Sequence, residues 1–159
     1  MTGIEKIKNW RSCFGLPNRE TPQVTSKEEA TLALRLIEEE TKELEMSLFS
    51  VGQYDPELDQ IADSLADLFF VVTQGCMIHG LDPEMLIDRV YKSNMSKVCH
   101  TEQEAVDSVK AYTDKEISTY YTQLPDGKFI IKRTVDNKVL KGINFFEPDW
   151  SDLGPTTSV

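Results

Sequence analysis

Ile61–Ile78 reads IADSLADLFFVVTQGCMI, and this stretch decides how the rest of the chain must be arranged. Leu65, Leu68, Phe69, Phe70, Val71, Val72, Cys76 and Met77 fall on every side of a 3.6-residue helix and leave no obvious wet face. Such a helix belongs in the middle of a bundle. Asp63 and Asp67 interrupt it, one turn apart and on one face. Aspartate is a poor residue for a helix interior, and two carboxylates so close repel each other. Something has to offset that repulsion.

The preceding helix carries the second half of the pattern. Ser26 followed by Glu29 forms a capping box, predicting a helix to about Ser50. Its apolar stripe is Ala30, Ala33, Ile37, Leu44, Leu48 and Val51. At the helical angle per residue, Glu40 falls beside that stripe, with Glu43 and Glu39 further round the same flank. Most surface helices keep glutamates opposite the core; here one is drawn towards the inside, where ionisation is costly.

A shared divalent cation accounts for both oddities. Mg²⁺ takes hard oxygen ligands and usually keeps waters and phosphate oxygens in its shell. Carboxylates at i, i+3 and i+4 on one helix, facing two from the next, can build such a site in a bundle. The competing explanation is a solvated acidic face on the glutamates, with the aspartates bonded to nearby backbone or to Arg35. It serves for the glutamates alone as well as metal does; the five carboxylates together favour metal.

The remaining elements are announced by local signals. Ile4, Ile7, Trp10 and Phe14 recur at helical spacing and predict a short helix ending at Gly15-Leu16-Pro17. Asp55-Pro56 and Asp82-Pro83 each offer an N-cap with proline at the first helical position. The helix after Asp82 is expected to end near Cys99. Thr101 with Glu104 opens a last helix to about Ser118. After Tyr120, short strand-like runs alternate with Pro-Asp-Gly and Asp-Asn-Lys turns. The expected organisation is a helical core over 1–118, a β-hairpin-like extension of the same domain over 119–153, and a flexible tail over 154–159.

The chain has 159 residues, enough for one domain with a real core, and 17 basic against 27 acidic side chains give a net charge of −10. That balance repels nucleic acid and anionic membranes, so neither is expected as a partner. Cys13, Cys76 and Cys99 form no C-x-x-C pair, and a disulfide framework or structural zinc is not expected. MTGIEKIKNW lacks a signal-peptide core, and no uninterrupted apolar run reaches the roughly 18 residues that span a bilayer. A cytoplasmic protein is the expectation. His79 and His100 stand apart from each other and from the carboxylates. Trp10, Phe14 and Gln23 are of types that stack on or read a nucleobase, although core packing is the better explanation for the two aromatics.

Glu39-Glu40-Thr41-Lys42-Glu43 has the pattern E-E-x-x-E, and Ala62-Asp63-Ser64-Leu65-Ala66-Asp67 follows about twenty residues later. The stretch from about Ser26 to Lys97 resembles the all-α nucleoside triphosphate pyrophosphatases, which include MazG-like proteins, dimeric dUTPase-like enzymes and phosphoribosyl-ATP pyrophosphohydrolases. The resemblance implies an all-α, MazG-like helical bundle, here with a small C-terminal β appendage. It implies Mg²⁺-dependent hydrolysis of a nucleotide between its α and β phosphates, with Mn²⁺ able to substitute, in nucleotide-pool house-cleaning. Glu40, Glu43 and Asp67 would be direct ligands, and Glu39 and Asp63 would bind a second ion or orient water. Ser93-Asn94-Met95-Ser96-Lys97 resembles a segment of some members, making Asn94 and Lys97 candidates for phosphate contact, with Arg35 a third. A homodimer or homotetramer is implied as well. One departure stands out: the family's second motif is commonly E-x-x-D, and Ser64 occupies the glutamate's place. The alternatives are phosphoribosyl-ATP pyrophosphohydrolysis and a non-catalytic helical metal-binding or interaction protein.

Overall fold

The computed structural model describes residues 1–50 and 53–153; Val51 and the expected tail over 154–159 lie outside the described residues. Two compact units divide the chain, the first holding Met1–Leu86 and the second Ile87–Asp152. Helices dominate, and a small antiparallel sheet follows them towards the C-terminus. The mostly helical architecture with a β appendage is therefore observed.

In the first unit, α1 (Gly3–Cys13) opens on a complete capping box: Thr2 accepts from the Glu5 amide and Glu5 accepts from the Thr2 amide. α2 (Lys27–Leu48) is capped by Ser26, whose hydroxyl accepts from the Glu29 amide at 3.2 Å. Only half of that box forms, because the Glu29 carboxylate is taken by Arg19 at 2.8 Å and by the Thr25 hydroxyl. α2 stops at Leu48 rather than Ser50, since Phe49 turns extended and pairs across a two-residue ladder. β1 (Phe49–Ser50) and β2 (Gln53–Tyr54) are antiparallel, with the Phe49 and Tyr54 rings 5.9 Å apart.

α3 (Leu58–Ile78) begins after the position its sequence suggests. The Asp55 amide donates to the Leu48 carbonyl at 3.2 Å, which binds Asp55 to the hairpin. Glu57 is left as N-cap, without a side-chain bond. α2 packs along α3, and α1 adds a smaller contact. Ser64, Val71, Thr73, Met77 and Ile78 are buried there. The all-round burial expected of this helix does not occur within one chain: Leu65, Phe69 and Val72 remain 49 %, 53 % and 43 % exposed. Two helices cannot sheathe a third on every side. By length and composition α3 could cross a membrane, yet it carries Asp59, Asp63 and Asp67 and lies against α2.

The segment between α1 and α2 is strapped over the end of α3. Gln23 donates its amide to the His79 carbonyl at 2.9 Å, and Arg19 donates to the Ile78 carbonyl at 2.7 Å. Gly80 has φ +66°, and a Cβ there would stand 2.0 Å from the Thr21 oxygen. Only glycine fits under this strap.

The unit boundary falls within α4 (Pro83–Met95). Asp82 caps it, its Oδ1 accepting from the Glu84 amide at 3.1 Å. α4 ends short of Cys99, which instead exchanges two backbone bonds of 2.8 Å with Phe129. α5 (Glu102–Thr113) is capped by Thr101 and also stops early. Glu116, in the left-handed region at φ 59°, turns the chain out of it. β3 (Thr119–Gln123), β4 (Phe129–Arg133) and β5 (Val139–Leu140) form an antiparallel sheet in that order. Cys99, Ala105, Phe129 and Ile131 make the core beneath it. Beyond β5 the chain returns to α4: Arg89 grips both Asp152 carboxylate oxygens at 2.6 Å and lies over the Trp150 ring.

Candidate active site

Glu40 is the centre of the acidic constellation. Its side chain points from α2 beside the interface with α3, and Oε2 is buried without a hydrogen-bond partner. Burial pushes the Glu40 carboxyl above its ordinary range, and Glu43, Asp67, Glu39 and Asp63 add to the shift in that order. The four other sequence-predicted carboxylates, from both α2 and α3, therefore act electrostatically on Glu40. Among the described residues no ion pair joins a cation to any of the five, and Arg35, on the same helix, is exposed and takes part in none.

The burial of the five is unequal. Glu40 is half-buried, whereas Glu39, Glu43, Asp63 and Asp67 are exposed. Asp67 is thus more open than an all-round apolar α3 would make it, because that helix is covered on one side only. Ser64, standing at the family's glutamate position, is buried and spends its hydroxyl on the Gln60 carbonyl at 2.9 Å. Among the described residues no three acidic, histidine or cysteine side chains are already gathered as a closed ligand set.

The residues nonetheless fit a hard divalent cation. An orphaned buried carboxylate oxygen facing four further carboxylates is costly as it stands, and a cation supplies the missing partner. Glutamate side chains have the rotamer freedom to converge on one.

Asn94 and Lys97 belong to the second unit. The Lys97 ammonium donates to the Asn94 side-chain carbonyl at 2.6 Å. The serine that precedes each of them does structural work. Ser93 donates to the Phe146 carbonyl at 2.9 Å, and Ser96 accepts from the Phe146 amide at 3.1 Å. This pinning leaves Asn94 exposed and Lys97 half-buried.

Two polar residues that the sequence pattern did not single out meet between α1 and α3. Arg11 is buried in α1 and donates to Asn18, Gln74 and the Pro17 carbonyl. Burial and the neighbouring Arg19 lower its pKa, partly countered by Glu29. Gln74 could have been noticed as a polar residue in an otherwise apolar run, two turns beyond Asp67.

The sequence pattern of the family described as phosphoribosyl-ATP pyrophosphohydrolase matches residues 7–94, which hold all five carboxylates. The chain belongs to that family. Phosphoribosyl-ATP pyrophosphohydrolases fall within the MazG-like all-α nucleoside triphosphate pyrophosphatases, as the E-E-x-x-E resemblance implied. They are nucleotide pyrophosphohydrolases, acting on phosphoric anhydrides, and they typically depend on a divalent metal. An uncharacterized protein of Acanthamoeba polyphaga mimivirus is 35 % identical over 79 residues, covering 46 % of this chain and 32 % of its own length. The chain thus matches about a third of that longer relative.

Proposed function

We propose that the chain hydrolyses nucleoside triphosphates between the α and β phosphates, giving a monophosphate and pyrophosphate, as a house-cleaning enzyme of the nucleotide pool. The observation that carries this reading is the partnerless Glu40 oxygen amid four other carboxylates. Glu40, Glu43 and Asp67 would hold Mg²⁺ directly, and Mn²⁺ would serve in its place. Mg²⁺, when bound, neutralises phosphate charge and acidifies a coordinated water.

The chain's own groups have distinct tasks. Glu39 and Asp63 bind a second ion or accept a hydrogen bond from the attacking water, aligning it. The packed α2–α3 pair fixes the two carboxylate rows, so that catalysis rests on position and charge. Lys97 offers phosphate a point charge, Asn94 a neutral donor and Arg35 a planar one. In a chain of net charge −10, these local donors favour the nucleotide's anionic end.

The family match favours a second substrate, phosphoribosyl-ATP, which carries the same scissile linkage on a bulkier purine. Leu65, Phe69 and Val72, exposed on α3, support assembly as a homodimer or homotetramer, which we place in the cytoplasm. Purified protein, Mg²⁺ and a panel of nucleotides with phosphoribosyl-ATP included, read by pyrophosphate release, is the direct test. Release only from phosphoribosyl-ATP selects the second substrate. No release from any nucleotide, with Mg²⁺ or Mn²⁺, refutes both and leaves a non-catalytic binding protein. A monomer by light scattering refutes the assembly.

A further inference from the structure

A cavity of about 330 Å³ lies wholly within the second unit. Lys92 and Met95 reach it from the last turns of α4, Val98 and His100 from the link to α5, Lys128 from just before β4, and Phe146 from the returning C-terminal segment. Its walls are pinned through the backbone. Cys99 exchanges two bonds of 2.8 Å with Phe129, which sets Val98 and His100 beside Lys128. Ser93 and Ser96 hold the Phe146 carbonyl and amide at 2.9 and 3.1 Å, which lays that segment along α4. Most of this lining falls beyond the family match over residues 7–94, so the family's chemistry does not account for it.

The charge of the lining has one sign. Lys92, His100 and Lys128 contribute to it together with Asn144, and among the described residues no carboxylate does. In a chain of net charge −10, such a lining runs against the composition. The adjoining cavity shows the contrast: it shares Lys92 and Phe146, but Glu147, Asp149 and Asp152 line it too, and its Arg89 is already bound to Asp152. The two lysines have partners outside the lining, Asp88 at 2.7 Å from Lys92 and Asp126 at 2.8 Å from Lys128. Both pairs are exposed, and such pairs add little net stability, so either ammonium can turn to a bound anion.

The donor set selects the anion. A planar carboxylate is best matched by the arginine fork, and no arginine lines this cavity. Two ammonium point charges suit a compact, doubly charged group instead, and Asn144 adds a neutral donor. Met95, Val98 and the Phe146 ring, 56 % exposed, give the same space an apolar wall. Small-molecule sites run from about 300 to 1,000 Å³, and a cavity at the lower end holds a phosphate with a small organic body. We propose that it is a second ligand site, taking an organic phosphate monoester whose phosphate meets Lys92 and Lys128 and whose body lies against Phe146. The second unit thereby recognises a phosphorylated metabolite with residues other than the α2–α3 carboxylates. This holds whether or not the chain is a pyrophosphohydrolase.

The full chain in EDTA, which keeps metal from the carboxylates, is titrated with phenyl phosphate, inorganic phosphate and benzoate by calorimetry and by ¹H–¹⁵N correlation spectra. Phenyl phosphate should bind about tenfold or more tighter than benzoate and about threefold or more tighter than inorganic phosphate. Its addition should shift the amides of Val98, His100, Lys128 and Asn144. Lys92→Gln and Lys128→Gln should each weaken it about fivefold or more with little change in melting temperature, while Glu40→Gln should bind it as wild type does. Benzoate binding as tightly would overturn the phosphate assignment, and inorganic phosphate binding as tightly would overturn the role of the apolar wall. Amide shifts confined to α2 and α3, affinity indifferent to both lysines, or no saturable binding of any of the three would overturn the site. Should a lysine variant fail to fold, the amide shifts of the wild-type chain decide.

Discussion

Lys97 Nζ lies 2.6 Å from the side-chain oxygen of Asn94, three residues earlier in the chain. The bond points the amide's NH₂ away from the lysine and holds the ammonium in place, so the two present a charge and a neutral donor together. Lys97→Met should raise KM for a nucleoside triphosphate about fivefold or more while kcat stays within about twofold, the signature of lost ground-state binding. Lys97→Arg should recover part of that loss. Steady-state kinetics on the three proteins decides the matter, and a Lys97→Met enzyme with wild-type KM would remove the residue from the site.

Glu40→Gln and Asp67→Asn test the acidic centre. Each should cut pyrophosphate release to below about 1 % of wild type, since a lost ligand removes both charge neutralisation and water activation. The metal-free proteins should melt no lower than wild type. Removing one carboxylate relieves the repulsion that raises the Glu40 carboxyl. A variant that retains Mg²⁺-dependent turnover excludes the replaced group as a ligand.

Ser64→Glu restores the family's usual spacing before Asp67 but does so at a buried position. The metal-free variant should lose at least about 2 kcal/mol of stability, as an unpaired buried polar group does. Added Mg²⁺ should return more stability to it than to wild type. Equal melting of the two metal-free proteins would mean that the new carboxylate escapes to solvent, and that Asp63 already occupies the available place.

The Arg133–Asp136 pair gives a pH prediction with a definite sign. Its hydrogen bond from Arg133 holds the Asp136 carboxyl down at about 2, against an ordinary 3.8. A depressed carboxyl stabilises the fold above its unfolded value, and that contribution vanishes as pH falls towards 2. Wild type should melt above Asp136→Asn from neutrality down to about pH 4, and the gap should close below. A gap that persists unchanged at pH 2 would contradict the assignment.

Gly80→Ala should destabilise the first unit by about 3 kcal/mol, combining a left-handed backbone penalty with a collision against the strap. The collision is concrete, since the added Cβ would meet the Thr21 oxygen at 2.0 Å. Chemical denaturation measures it, and a loss below about 1 kcal/mol would show that the strap yields easily.

What could be read from the sequence was what local chemistry specifies. Ser26, Asp82 and Thr101 bond to amides two or three residues away, so their helix starts were legible. Helix ends were set from further off. α2 stops because Phe49 pairs with Tyr54, α5 because Glu116 adopts a positive φ, and neither residue type signals it. The same division holds at the site. Glu40 betrays itself through neighbours three and four residues away, whereas Arg11 and Gln74 meet across 63 positions and only folding brings them together. The exposure of Asp67 was hidden for a related reason: apolar composition tells how much of α3 avoids water, not which covering one chain can provide.

The grip of Arg89 on Asp152 has a mechanical meaning. Arg89 lies near the point where the chain enters the second unit, and Asp152 is that unit's last residue. Entrance and exit are therefore clasped together, like the two ends of a purse string. A pull on the flanking chain loads this ion pair before it reaches the β3–β4 ladder, so the sheet is shielded until the clasp gives way.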